Sequence, residues 1–310
     1  MRILVVRLGA MGDVIHALPA VATLRRSFPQ AHLAWAIEPR WQPLITGAVD
    51  EVLPLNRRDF ASVRAAVGQM RKQGFDLAID MQGLIKSAVV ARFSGATRIA
   101  GYAYPLLRER LAGLLYTERH NTTATHIVDR HVALANACGA LQTCREFRLP
   151  LGKPEGALPE NGFVLSSPFA GWSSKEWPLE HYAELANLLR DRLGCALVLN
   201  GHAKVEPLLR QVPGTIPHIS SIEGLIDATR RARAVIGLDS GPLHLAAALR
   251  KPGVAIFGPT DPARNGPYGG SLRVLRDPAA ITSYKRRDTI DPSMRAITPR
   301  MVIDALEETL

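Results

Sequence analysis

Cysteine is scarce: Cys138, Cys144 and Cys195 are the only three in 310 residues, and no two stand in a CxxC spacing. That excludes a disulfide scaffold, agrees with a reducing compartment, and leaves each thiol to be read as a core or surface group. The nine histidines form no HExxH and join no cysteine cluster, so no motif calls for a structural or catalytic metal. No apolar run approaches the roughly 20 residues that span a bilayer. The opening MRILVVRLGAMG has too short an apolar run, and meets Arg7 too early, to act as a secretory signal. A cytoplasmic protein is therefore expected. Fixed-period repeats and low-complexity tracts are lacking as well.

The chain has the balance of a soluble globular protein, with 47% hydrophobic and 21% charged residues, and the length for two domains. Its net charge of +10 is unevenly spread. Residues 1–155 hold 20 Lys+Arg against 12 Asp+Glu, and residues 156–310 hold 18 against 16. The basic first half points to an anionic partner or to a surface kept soluble by charge. Nucleic acid is one such partner, but no RNP, zinc-finger or helix-turn-helix signature accompanies the charge. An anionic lipid headgroup or an acidic sugar is the other.

Short β-branched runs alternate with helical patterns from end to end: RILVV, HLAWAI, EVLPL, DLAID and TRIAGYA, then FVLSS, ALVLNG, AVIGLD, GVAIFGP and LRVLRD. Such alternation indicates βαβ units and parallel sheets. The Pro/Gly-rich LPLGKPEGALPENG at 149–162 is the linker. The fold class is α/β, with two doubly wound Rossmann-like domains over residues 1–155 and 156–310. The final segment, about 298–310, reads as a helix with Thr298 as N-cap and Pro299 at the first helical position. Met301, Val302, Ala305, Leu306 and Leu310 form its apolar face, and it is expected to pack back on the N-terminal domain. Ligands of such sheets bind at the carboxyl ends of the strands.

The strand ends carry the chemistry. In VVRLGAMGDVIHALPA, Gly9 and Gly12 resemble a phosphate turn but do not spell GxGxxG, and Asp13 sits in its mouth. A carboxylate about 4 Å from a phosphate costs on the order of 4 kcal/mol at an effective dielectric near 20. A pyrophosphate is therefore not expected here, and Asp13 reads either as a base or as a helix N-cap. Glu38, past the second strand, keeps an NAD-dependent oxidoreductase open as a different class of reading. In IGLDSGPLHLAAAL, Asp239, Ser240, Gly241 and His244 flank a helix start whose amides suit a phosphate. Lys175, in SSPFAGWSSKEWPLEHY, is placed to neutralise a departing diphosphate without a metal. Glu206, which ends LNGHAKVE, is placed to accept hydrogen bonds from ribose hydroxyls.

MGDVIHALPA, DMQGLIKSA, KEWPLEHY, LDSGPLHLAAAL and FGPTDP occur in that order. Together they resemble the ADP-heptose:lipopolysaccharide heptosyltransferases, glycosyltransferase family 9, of GT-B architecture. The segment LRERLAGLLYTERHN (107–121) is most similar to the heptosyltransferase I branch. The resemblance implies two domains facing across a cleft and an inverting, metal-independent transfer of heptose from ADP-heptose to a Kdo sugar of Kdo-lipid A. A different acceptor or nucleotide sugar within the family is the nearest alternative. By the resemblance, Asp13 is the general base and Lys175 the diphosphate-neutralising lysine. Met11, Gly12, Glu206, Asp239, Ser240, Gly241 and His244 fall in the donor site, while Arg57, Arg58, Lys86 and Arg108 hold the acidic acceptor. No cofactor, nucleic acid or obligate protein partner is implied, and the enzyme would sit peripherally on the inner face of the cytoplasmic membrane. The chain departs from the family's pattern at Ala10, at FAGW (169–172) and in a basic cluster shortened to Arg57-Arg58.

Overall fold

The computed structural model describes residues 1–56 and 59–310. The chain divides into two compact units, Met1–Pro150 and Leu151–Leu310, so the boundary falls inside the expected linker and a few residues before 155.

In the first unit the strands are β1 (Arg2–Val6), β2 (His32–Ile37), β3 (Glu51–Pro54), β4 (Leu77–Asp80), β5 (Arg98–Tyr102) and β6 (Glu118–His120). Its helices are α1 (Met11–Ser27), α2 (Phe60–Gln73), α3 (Ile85–Phe93) and α4 (Ile127–Ala137). The parallel sheet runs β3-β2-β1-β4-β5-β6. That is the doubly wound order, whose switch point lies between β1 and β4. The central strands are closed on both faces, which is why they read as unbroken apolar runs. Pro19 lies within α1 without ending it, and Thr23 Oγ1 donates to its carbonyl at 2.9 Å.

The second unit repeats the plan with β7 (Phe163–Ser166), β8 (Ala196–Gly201), β9 (Thr215–Ile219), β10 (Ala234–Leu238), β11 (Gly253–Phe257) and β12 (Leu272–Arg276). Its helices are α5 (Leu179–Leu193), α6 (Glu206–Leu209), α7 (Ile222–Arg231), α8 (Gly241–Ala248), α9 (Pro262–Asn265), α10 (Pro292–Ala296) and α11 (Pro299–Glu307). The sheet order β12-β11-β10-β7-β8-β9 puts its switch point between β7 and β10. Thr298 Oγ1 accepts the Met301 N–H, so it caps α11 as read from the sequence. The face that α11 buries differs from the expected one. Val302, Ile303, Ala305 and Leu306 enter the core of the second unit beside Leu185 and Leu189, whereas Met301 and Leu310 are exposed. The apolar face of α11 is thus built into the core of its own unit.

Two strands escape the sequence patterns. β6 has only three residues, and β9 carries Pro217, which an edge strand tolerates because its outward N–H needs no partner. At Gly101 in β5, an added Cβ would lie 2.3 Å from the Tyr116 ring, and Tyr116 is buried with its hydroxyl donating to Asp80 at 2.6 Å. Gly101→Ala is expected to lower the unfolding free energy by about 1–3 kcal/mol, as overpacking does. Urea titration against wild type checks this, and an unchanged midpoint would contradict the close packing.

Candidate active site

In the first unit, the site is built at the carboxyl ends of β1 and β4. Arg7 follows β1 directly and is buried. One guanidinium nitrogen donates to the Met81 carbonyl at 2.8 Å, and another lies 2.7 Å from Oδ1 of Asp13. Oδ2 of Asp13 accepts the Ala10 N–H at 3.1 Å. Asp13 is therefore not the N-cap of α1, since Ala10 holds that position and Asp13 is the third helical residue. From there the carboxylate reaches back to the cap's free amide, as the third residue of a capping box does. Ala10 has no side-chain oxygen of its own to offer. Both Asp13 oxygens are held, yet the side chain stays 47% exposed, so it keeps access to a proton donor. Met11 and Gly12 open the helix beside it and are buried.

Behind this site lies Asp80, the last residue of β4, with no exposed surface. Its Oδ1 accepts the N–H groups of Gln82 at 2.8 Å and Gly83 at 3.3 Å. Its Oδ2 accepts from Ser87 Oγ at 2.8 Å and from the Tyr116 hydroxyl at 2.6 Å. Burial pushes the Asp80 carboxyl upward, against these four hydrogen bonds, which pull it down. The turn that Asp80 shapes supplies the Met81 carbonyl to Arg7 and the Gln82 side chain to the Leu8 N–H at 2.9 Å. The motif DMQGLIKSA thus acts on Asp13 through Arg7. Glu38 is buried and accepts from Arg40 Nε at 3.0 Å.

In the second unit, four adjacent strands β8-β7-β10-β11 bring their carboxyl ends side by side. Lys175, in the 3-10 turn after β7, places Nζ 2.6 Å from Oδ2 of Asp239, which follows β10. Thr260, past β11, donates to the same oxygen at 2.7 Å, and His244 Nε2 lies 3.7 Å from Oδ1. Burial alone would raise the Asp239 carboxyl. The His244 hydrogen bond and the Lys175 charge outweigh it and hold the group well below the usual carboxylate range. The Lys175 ammonium also stands 4.4 Å from the centre of the Trp172 ring, with Arg286 5.5 Å from the same ring. Ser240 caps α8, Gly241 is its first residue and Pro242 its second, so the helix opens its free amides at the switch point. Free amides at this place suit a phosphate group.

The model of glycosyltransferase family 9 (heptosyltransferase) matches residues 63–292. The chain belongs to that family. Lipopolysaccharide heptosyltransferase 1 of Pseudomonas aeruginosa is 29% identical over 87% of this chain and 82% of its own length. A structure of Escherichia coli heptosyltransferase WaaC with ADP superimposes with a TM-score of 0.81 and 27% identity, covering 100% of both chains. The same enzyme with ADP-2-deoxy-2-fluoro heptose gives 0.80 and 26%, again over 100% of both chains. This family 9 glycosyltransferase has the GT-B architecture expected from its motifs, which removes the oxidoreductase reading.

The remaining expected residues of this glycosyltransferase fall as follows. Glu206 opens α6 and is ion-paired with Arg210 at 2.6 Å, one turn along. Lys86, the second residue of α3, and Arg108 are exposed, and their segments meet where the Ile85 N–H donates to Glu109 at 2.7 Å. Arg57 and Arg58 lie outside the described residues. Among the described residues, no group of three or more His, Cys, Asp or Glu is placed to hold a metal ion. Reading the sequence alone misses Arg7, Asp80, Trp172, Thr260 and Arg286 as parts of these sites.

Asp239→Asn removes the counter-charge of Lys175 from a largely buried pair and is expected to cost about 3–5 kcal/mol at neutral pH. The folded-state carboxyl is depressed, so its contribution is complete above about pH 4 and is lost as the pH falls below that. Urea unfolding at several pH values checks both points: the gap between variant and wild type is wide at pH 7 and narrows below pH 4.

Proposed function

We propose that this glycosyltransferase moves L-glycero-D-manno-heptose from ADP-heptose to a Kdo sugar of Kdo-lipid A, a step of lipopolysaccharide inner-core synthesis. The observation that carries the reading is the Asp13 carboxylate, anchored through both oxygens and still half-exposed. Asp13 takes the proton of an acceptor hydroxyl while that oxygen attacks the anomeric carbon. The bond from that carbon to the diphosphate oxygen breaks, and its electron pair leaves with ADP. A single displacement of this kind inverts the anomeric centre.

The charge gathering on the departing ADP is met by Lys175, fixed at the strand ends by Asp239, and by the open amides of α8 at Ser240 and Gly241. The reading assigns this task to side chains and amides and routes no step through a metal. His244, whose ring is held beside Asp239, completes that wall of the donor site, and Glu206 takes the ribose once it releases Arg210. ADP-heptose as the donor is supported by the matching structures of WaaC, one with ADP and one with ADP-2-deoxy-2-fluoro heptose. A lipopolysaccharide acceptor is supported by the relative lipopolysaccharide heptosyltransferase 1, and the Kdo sugar by the likeness of residues 107–121 to the heptosyltransferase I branch. Lys86, Arg108, Arg57 and Arg58 supply positive charge for its acidic sugars, on the basic half of the chain. Work on such a lipid puts the enzyme peripherally at the cytoplasmic face of the membrane.

Asp13→Ala is expected to lower kcat by about 10²–10⁴-fold, the usual worth of a positioned base, while leaving ADP affinity nearly intact. Turnover of ADP-heptose on a Kdo-lipid acceptor measures the first and calorimetric ADP titration the second. Near-normal turnover would remove Asp13 from the mechanism. Lys175→Ala is expected to weaken ADP binding and to lower kcat by about 10²–10³-fold, as loss of one transition-state charge partner does. Unchanged values of both would make Lys175 a bystander.

A further inference from the structure

Between α3 and β6 the chain makes a short 3-10 turn, Arg110–Leu115. A 3-10 helix has three residues per turn, so side chains three apart lie one above the other. Leu111 and Leu114 are such a pair. They are 64% and 68% exposed, whereas Ala112 and Gly113 between them are buried. The turn thus shows two stacked leucines to the outside and its small residues to the protein.

This exposure is held in place by packing. A Cβ on Gly113 would meet the Tyr104 ring at 2.7 Å and Leu107 at 3.1 Å, so the turn sits tightly on residues 104–107. Arg119 donates to the carbonyls of Gly113 at 2.9 Å and Tyr116 at 3.0 Å, and its guanidinium lies 5.6 Å from the Tyr104 ring centre. The Glu109 carboxylate anchors the front of the turn to the start of α3 through the Ile85 N–H. Lys86, Arg108 and Arg110 are exposed along the same segments, and Ile85 adds a further exposed apolar side chain. The acidic group in the segment, Glu109, is already engaged by that N–H.

We propose that the 104–115 segment docks this enzyme on an anionic phospholipid bilayer, with Leu111 and Leu114 entering the interface and Lys86, Arg108 and Arg110 meeting the headgroup charge. Paired apolar and basic side chains are what binding in the plane of a bilayer surface requires. None of the described helices is long and apolar enough to cross a membrane, so attachment at a surface rests on features of this kind. The inference extends the proposed acceptor reading and rests on it for the choice of a bilayer as occupant.

The test is sedimentation of the full chain with phosphatidylethanolamine/phosphatidylglycerol vesicles and with neutral phosphatidylcholine vesicles. Wild type is expected to bind the anionic vesicles and to lose affinity as salt rises. The double variant Leu111→Ser, Leu114→Ser is expected to bind them at least tenfold more weakly, on the order expected for losing two buried leucines. Heptose transfer to a water-soluble Kdo acceptor without acyl chains serves as the fold control and stays at the wild-type rate in this variant. Equal vesicle binding by variant and wild type overturns the inference. So does a wild-type dimer, detected by ultracentrifugation, that dissociates in the variant, since a second copy would then be the occupant. If wild type binds vesicles through the two leucines but transfers nothing to the soluble acceptor, docking stands and the proposed reaction falls.

Discussion

In each unit, a cation just past the first strand is held by groups just past the fourth strand in order. Arg7 follows β1 and donates to the Met81 carbonyl beyond β4, in a turn that Asp80 shapes. Lys175 follows β7 and pairs with Asp239, directly after β10. In both sheets these two strands flank the switch point, where the connections diverge and leave a crevice. A crevice lined by loose loops would present charge at no defined place. The bond across the switch point removes that freedom, and Asp13 and Lys175 take their positions from it.

The two units use this bond for opposite charges. In the first, Asp80 is engaged by four internal donors, so Arg7 pairs with Asp13 instead, and that carboxylate keeps an exposed edge. In the second, Asp239 spends its charge on Lys175, with Thr260 and His244 beside its oxygens, so no carboxylate is left over at that crevice. The free amides at the start of α8 and the Lys175 ammonium are then its donors. A base for a sugar hydroxyl and a seat for a diphosphate could not share one pocket without several kcal/mol of repulsion. Repeating one fold with inverted charge at the switch point separates them.

Much of this was legible in the residues. β-Branched runs mark ten of the twelve strands, and Asp13, Lys175 and Asp239 stand out because each lies in the segment that follows an apolar strand. The three-residue β6 and the proline-bearing β9 carried too little pattern. Long-range partners were hidden for a different reason. Tyr116 reaches Asp80 from 36 residues away, and nothing local to either residue announces the bond. Arg7 enters the sequence reading only as a charge that cuts short the apolar opening, since its burial and its Met81 acceptor exist only once β4 lies beside β1. Asp13 as an N-cap is a fair reading of type and approximate place, yet a three-residue difference in register decides which amide the carboxylate takes. Because Ala10 is the cap, the carboxylate must reach from the third position, and that reach also brings it to Arg7.

That register has a chemical consequence. At an N-cap, the Asp13 oxygen would accept amides from inside the first turn and would turn toward the helix. From the third position, one oxygen is tied to Ala10 and the other to a guanidinium whose own orientation is locked by Met81. The carboxylate plane is therefore fixed from two sides while its outer edge stays open to solvent. A proton acceptor needs a set direction more than it needs a raised affinity, because transfer depends on hydrogen-bond reach to the reacting hydroxyl. The buried chain Asp80–Met81–Arg7 thus connects the core of the first unit to the Asp13 carboxylate, the group proposed to act as base.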